Sequence, residues 1–271
     1  MKMSPLSEPH KLGKPFAIGG TAEIYDWEPG WVLKLYFDRF QPWMADYERG
    51  KAAAIYATGL PVPAVGEVVN VDGRKGLLYE KCAGEQMGKD LIKYPWRIVS
   101  YALILAELHA RMHDKPMQAE APPLRKRLES RIRNAKLLPE NVRVAALKEL
   151  SNMPDGDRLC HGDFHLGNVM LGRAEPVIID WVDASIGSPL ADVARTSILA
   201  QGMVEAEPQF SQFQRFGLRL MHTIYLRRYF QLCPGGQDEY RRWLPIVAAA
   251  RLDENVPGWD GFLLAQANKL L

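Results

Sequence analysis

The chain has 271 residues, a net charge of +2, 47% hydrophobic residues and 24% charged ones. That length builds one large domain or two coupled lobes, and that balance excludes disordered and fibrous classes. A charge so near neutral gives no whole-chain field to draw nucleic acid or a membrane surface, and no apolar run reaches the ~18 residues that cross a bilayer.

The opening residues, MKMSPLSEPHKLGKPF, are polar and proline-bearing and lack the apolar core of a secretory leader. Cys82, Cys160 and Cys233 are widely spaced with no CxxC pair, so a disulfide framework and a zinc knuckle are not expected and a cytoplasmic location is. Cys160 reads as a buried small hydrophobe rather than a nucleophile.

Up to residue 84 the chain reads as short β-type segments: FAIGG, AEIYDWE, WVLKLYF, AVGEVVNV and GLLYEKC. Glu28 to Trp31 and Asp72 to Gly76 look like hairpin turns, and one helix interrupts from about Pro42 to Thr58, closed by Gly59 and Pro61. After Gly84 the pattern turns helical. Trp96 to His113 is apolar nearly all round, as in a helix buried inside a lobe. Two charged helical segments follow, then a hairpin, NVML and PVIID, turned at Gly172 and Arg173. From Leu190 to Leu271 the reading is several helices. The organisation is thus a β-rich N-lobe, residues 1–84, and a larger helical C-lobe, residues 85–271. A cleft between such lobes is a favoured small-molecule site.

In the first lobe, Gly19 and Gly20 sit in a turn between two strands, with Thr21 and Ala22 at its tip, where backbone N–H groups can approach a phosphate. Lys34 stands inside an apolar strand, alternation placing it with Val32 and Tyr36. It either snorkels at an edge or reaches a phosphate. A lysine so placed needs an acidic partner, and Glu48 shares a helical face with Met44, Ala52 and Ile55.

The stretch LCHGDFHLGNVM supports two readings. As a metal hydrolase, His161, Asp163 and His165 would need a strand to project together, yet the glycine in HLGN argues for a loop. The remaining histidines (His10, His109, His113 and His222) form no second cluster in sequence, and His109 to His113 lacks the Glu of a zincin. As a phosphotransferase, Asp163 orients or accepts the proton of an attacking hydroxyl. Asn168 holds a divalent cation, and Asp180 at the end of VIID supplies a second oxygen ligand.

HGDFHLGNVM followed by VIIDWVDASIGSPLADVAR resembles the aminoglycoside phosphotransferase and choline kinase family, relatives of the protein kinases. The resemblance covers roughly residues 15 to 200. It implies an α+β, protein-kinase-like bilobal fold: a small antiparallel sheet with one helix, then a larger mainly helical lobe. It implies ATP, with GTP as an alternative, and Mg²⁺ as cofactors. Asp163 matches the catalytic base, Asn168 and Asp180 the metal ligands, Lys34 the phosphate-binding lysine and Glu48 its partner. Backbone from Glu80 through Lys81 to Cys82 matches the adenine-binding hinge. Asp192 matches an aspartate that braces the catalytic loop, and it also reads as a cap on the helix starting near Pro189. His161 reads as a brace, while His165 and Asp183 stay unassigned.

The implied reaction phosphorylates a hydroxyl of a small molecule, with no nucleic acid, membrane or protein partner. An atypical protein kinase is the first alternative. However, Gly162 replaces the arginine of protein-kinase loops, and the eleven residues between Asp180 and Asp192 leave no peptide-docking platform. A nucleotide-binding pseudokinase scaffold is the second, opposed by the presence of Asp163, Asn168, Asp180 and Lys34 together. Residues 85–271 carry 24 Lys and Arg against 22 Asp and Glu, so no acidic excess marks an aminoglycoside pocket. The basic run Arg125 to Lys136 reads as a solvated helix face, with an anionic or sugar-like acceptor as its functional alternative.

Overall fold

Residues 12–117 and 121–271 are described by a computed structural model. His10 and most of the opening polar stretch lie outside the described residues. The chain divides into two units: Met1–Gly84 with Met170–Ile179, and Glu85–Val169 with Asp180–Leu271.

The first unit is built on an antiparallel sheet of β1 (Ala17–Ile18), β2 (Ala22–Asp26), β3 (Trp31–Tyr36), β4 (Val65–Val71) and β5 (Arg74–Glu80), in the order β1-β2-β3-β5-β4. β3 is central, with Lys34 opposite Ile24 on one side and Leu77 on the other. Leu33, Leu35 and Leu77 are almost wholly buried, so the strand run expresses burial on both faces rather than simple alternation. α1 (Trp43–Ala57) begins after Pro42 and stops at Thr58 before Gly59, whose φ of 73° only glycine adopts freely.

Two details of the hairpin reading change. Ala22 is not at the tip of the glycine turn: it opens β2, pairs with Tyr36 and is 1% exposed. The turn expected over Asp72 to Gly76 contracts to Asp72 and Gly73, both at positive φ as a tight two-residue hairpin requires. Gly76 belongs to β5, where a Cβ would come within 2.5 Å of a Leu33 methyl. It is glycine for close packing, not for turning.

The second unit contains α2 (Met87–Lys93), α3 (Ile98–His113), α4 (Leu124–Asn134), α5 (Glu140–Asn152), α6 (Pro189–Ala206), α7 (Gln212–Leu232), α8 (Gln237–Arg251) and α9 (Asp260–Ala267). One short strand pair, β6 (Arg158–Cys160) with β9 (Ser185–Gly187), interrupts the helices. A second, β7 (Val169–Met170) with β8 (Val177–Ile178), lies in the segment from Met170 that belongs to the first unit, apart from Val169. α3 corrects its reading as a fully buried helix. Its inner face, including Ala102, Leu105, Ala106, His109 and Met112, is buried, while Val99 and Leu103 stay substantially exposed. α7 packs against α3 and starts with a capping box between Ser211 and Gln214.

The solvated-face reading of Arg125 to Lys136 holds for Lys126, Arg133 and Lys136, which are exposed, and is corrected for Arg125, Arg127 and Arg131. Arg125 reaches Asp155 and the carbonyls of Leu150 and Met153, Arg127 pairs with Asp183, and Arg131 joins Asp183 to Glu254. These guanidinium groups staple loops and turns to α4, because each has several donors in a fixed plane. Leu124, Leu128 and Ile132 form the buried stripe of the same helix.

Candidate active site

In the first unit, Lys34 and Glu48 meet. Lys34 Nζ donates to Glu48 Oε1 at 2.7 Å, Tyr36 Oη to Oε2 at 2.7 Å, and Tyr79 Oη to Oε1 at 2.8 Å. Burial opposes the Glu48 charge, yet Lys34 and the two tyrosine hydroxyls outweigh it and hold the carboxyl below its usual range. Strand alternation places Lys34 and Tyr36 on one face, and the inward face of α1 brings Glu48 over them.

The Gly19–Thr21 turn is held by Gly19 N–H to the Ala22 carbonyl (2.9 Å), while Arg39 donates to the Gly20 carbonyl (2.7 Å) and Phe37 N–H to the Thr21 carbonyl (3.1 Å). A Cβ on Gly20 would meet nothing within 4 Å, so this turn presents open backbone. At the end of β5, the Glu80 amide donates to Ala64 and the Lys81 amide to Gly30, and the Lys81 side chain pairs with Asp26. Burial pushes the Cys82 thiol up to about 11, so it is no thiolate nucleophile.

In the second unit, the segment after β6 forms a loop rather than a strand, so the alternation a His-x-Asp-x-His metal site needs is missing. His161 is fully buried, and its Nδ1 accepts the Asp163 N–H at 3.2 Å. His165 Nδ1 accepts the Gly167 N–H at 2.9 Å, which leaves Nε2 as the donor toward Asp163 Oδ2 at 3.4 Å. The other Asp163 oxygen takes Arg195 Nη2 at 3.1 Å. Burial opposes the Asp163 charge, but His165 and Arg195 prevail and hold this carboxyl far below the usual range. It is an ionised, oriented acceptor rather than a proton store.

Asn168 is buried, and its Nδ2 donates to the Asp163 carbonyl at 2.8 Å, so its amide oxygen is the group left to face a ligand. Asp180 follows β8 with a φ of 63°, a left-handed conformation that costs a non-glycine residue energy and recurs at functional positions. The donor set that Asn168 and Asp180 offer is oxygen only, which suits a hard divalent cation.

Asp192 does not cap α6, the second role its position suggests; the Ser188 N-cap position has no side-chain bond and Asp192 turns to the loop instead. Its Oδ2 accepts the His161 N–H at 2.6 Å and its Oδ1 the Gly162 N–H at 2.8 Å. His109 and His113 approach the same Oδ2 at 3.1 and 3.3 Å, with their Nδ1 atoms bonded to Tyr225 and Tyr229. The histidines therefore do cluster, but across the fold rather than along the sequence. Their ligand atoms and that of Asp192 lie within 4.8 Å of one another, and all are spent in hydrogen bonds. Burial, then His113, pushes His109 down to about 4, so its ring is neutral.

Cys160 is buried and its thiol is raised well above its ordinary value by that burial. Asp183, unassigned from sequence, takes Arg127 and Arg131. Sequence reasoning missed Arg195 and Glu254. Arg195 was within reach, since it lies three residues after Asp192 on the same helical face; Glu254 had no local signal.

The fold has many solved relatives. An aminoglycoside-3'-phosphotransferase of type VIII is 19% identical with a TM-score of 0.59, over 92% of this chain and 94% of that one. A choline/ethanolamine kinase family protein from Mesorhizobium loti is 14% identical with a TM-score of 0.54, over 96% and 87%. An amicoumacin kinase in complex with AMP-PNP, Ca²⁺ and Ami is 12% identical with a TM-score of 0.62, over 97% and 88%. No curated protein sequence matches the chain. These likenesses define a protein-kinase-like α+β fold. The APH profile, described as the phosphotransferase enzyme family, matches residues 19–225, and the chain belongs to that family. It is a small-molecule phosphotransferase, the class expected from HGDFHLGN and its following aspartate.

Proposed function

We propose that this protein transfers the γ-phosphoryl group of ATP, with Mg²⁺, to a hydroxyl of a small molecule. The observation that carries the reading is the doubly held carboxylate of Asp163 on the loop that also presents Asn168. Phosphoryl transfer passes through a loose transition state, so a catalyst gains more from aligning the attacking hydroxyl than from removing its proton early. Asp163 is suited to such alignment. It accepts the hydroxyl's hydrogen bond from a fixed position and takes the proton as the new P–O bond completes.

Lys34, aimed by Glu48, binds the α- and β-phosphates, and the open backbone at Gly20 would offer N–H groups to them. Adenine meets the Glu80–Cys82 backbone. Since the Glu80 and Lys81 amides already donate within the sheet, the Cys82 amide is the donor for the base edge. Asn168 and Asp180 hold the divalent cation, which when bound neutralises phosphate charge. The nucleotide analogue and Ca²⁺ named for the amicoumacin kinase support this cofactor pair. GTP is a second nucleotide to test. ATP supply and three unpaired cysteines agree with a cytoplasmic setting.

A panel of hydroxyl- and amine-bearing metabolites and aminoglycosides, scored for ADP release, tests the reading and finds the acceptor. Asp163→Asn should lower kcat by about 10³-fold while the thermal shift with ATP and Mg²⁺ persists. Lys34→Ala should shrink that shift. A panel without turnover, or an Asp163→Asn enzyme as active as the parent, defeats the proposal.

A further inference from the structure

The catalytic loop is held from one side by Asp192; from the other it is held by an arginine with a carboxylate behind it. Arg195, 6% exposed on α6, donates Nε to the Gly162 carbonyl at 3.0 Å and Nη2 to Asp163 Oδ1 at 3.1 Å. One guanidinium thus grips both the backbone of the loop and the carboxylate it presents. Behind it, Glu254 accepts Arg195 at 2.7 and 3.0 Å, Arg251 at 2.6 Å and Arg131 at 2.6 Å. Glu254 ends the short 3₁₀ turn Leu252–Glu254 that follows α8, beyond the residues matched by the family profile.

We propose that Arg195, anchored by Glu254, is a positioning residue for phosphoryl transfer, setting the direction of the Asp163 carboxylate. The proposal rests on the reading of Asp163 given above. Its physical basis is the planar fork of arginine. The Nε–H and the Nη2–H beside it point along fixed, parallel directions in one plane, so the spacing between the Gly162 carbonyl and the Asp163 carboxylate oxygen is set by covalent geometry. A lysine has one ammonium and cannot impose that spacing. A buried guanidinium also needs compensating charge, and Asp163 alone would then serve both as counter-ion and as acceptor for substrate. Glu254 takes over the counter-ion role. The Asp163 oxygen facing Arg195 stays hydrogen-bonded without Arg195 drawing the whole carboxylate out of place. Arg131 and Arg251 hold Glu254 in turn, so α4 and the end of α8 set the orientation of a group on a loop distant in sequence.

The test compares Arg195→Gln, Arg195→Lys, Arg195→Ala, Glu254→Gln and Arg195→Gln/Glu254→Gln with the parent. It uses ADP release with an accepted panel compound, or with water as acceptor. Arg195→Gln should lower kcat by about 10²-fold, the cost of a misplacement near 1 Å. The KM for ATP and the thermal shift with ATP and Mg²⁺ should stay near parental values. Arg195→Lys should recover little, whereas added methylguanidinium should restore part of the Arg195→Ala rate. Glu254→Gln should cost about tenfold, and the double variant no more than Arg195→Gln, because the two act as a unit. A kcat for Arg195→Gln within about threefold of the parent overturns the proposal, as does a double variant whose loss is the product of the single losses. If Arg195→Gln does not fold, Arg195→Lys and Glu254→Gln decide: both within about threefold of the parent overturn it equally. An Asp163→Asn enzyme that kept full activity would instead remove the reading of Asp163.

Discussion

Two carboxylates, Glu48 in the first unit and Asp192 in the second, are both buried and both held ionised, yet they are held by different chemistry. Glu48 has one cation and two tyrosine hydroxyls, all on side chains. Asp192 has two backbone amides and two imidazoles. The first arrangement holds the ammonium of Lys34 in place through side chains alone. The second fixes a stretch of main chain. A group that must meet a ligand is tuned by side chains, which can give. A loop that must keep its shape is tied by its own amides, which cannot leave.

Removing Asp192 is the harshest way to break this comparison. Asp192→Ala strands two buried amides and two ring N–H groups, and chemical denaturation should show a loss of about 4 kcal/mol. A loss below about 1 kcal/mol would mean that the loop does not depend on this carboxylate.

Acid probes the same side of the comparison. His109 and His222, both pushed down to about 4 chiefly by burial, stay neutral in the fold, whereas the unfolded chain protonates them from about 6.5. The histidine contribution to stability is therefore full above pH 6.5, falls as pH drops toward 4, and levels below that, each histidine contributing about 3 kcal/mol. Protonation of Glu48, Asp163 and Asp192 continues the loss at lower pH. His109→Gln should flatten part of this fall in a pH series of unfolding curves, and an unchanged slope would refute the assignment.

The first unit should be the more forgiving. Glu48→Gln should cost about 2 kcal/mol, since Lys34 loses its ionic partner but reaches a neutral amide. Tyr36→Phe should cost about 1 kcal/mol. Both are readable by denaturation, and both should weaken the thermal shift with ATP and Mg²⁺ more than Asp192→Asn does. The reverse ranking would sink the contrast between a ligand-facing pair and a structural brace.

The parts legible in the sequence were those with a local cause. Proline before and glycine after α1 bounded that helix. Alternation placed Lys34 beside Tyr36. The five-residue step from Asp163 to Asn168, with Asp180 after a short strand, pointed to the reaction class without tertiary information. Errors came where a neighbour decided. Gly76 reads as a turn residue until Leu33 is seen against it. Arg125, Arg127 and Arg131 read as solvated because their acidic partners, Asp155, Asp183 and Glu254, are remote in sequence.

The division follows from range. Caps, turns, strand alternation and the order of the loop residues are set within a few residues by backbone sterics and short hydrogen bonds. Together with the resemblance carried by HGDFHLGNVM and VIID, they reached as far as a kinase-like phosphotransferase. Tertiary packing alone brought His109 and His113 onto Asp192 behind the loop. It alone set Arg195 and Glu254 behind Asp163 and turned Asp192 away from its helix end. Those contacts join residues 30 to 83 positions apart. A pairing across such distances exists only once burial has removed the competing water.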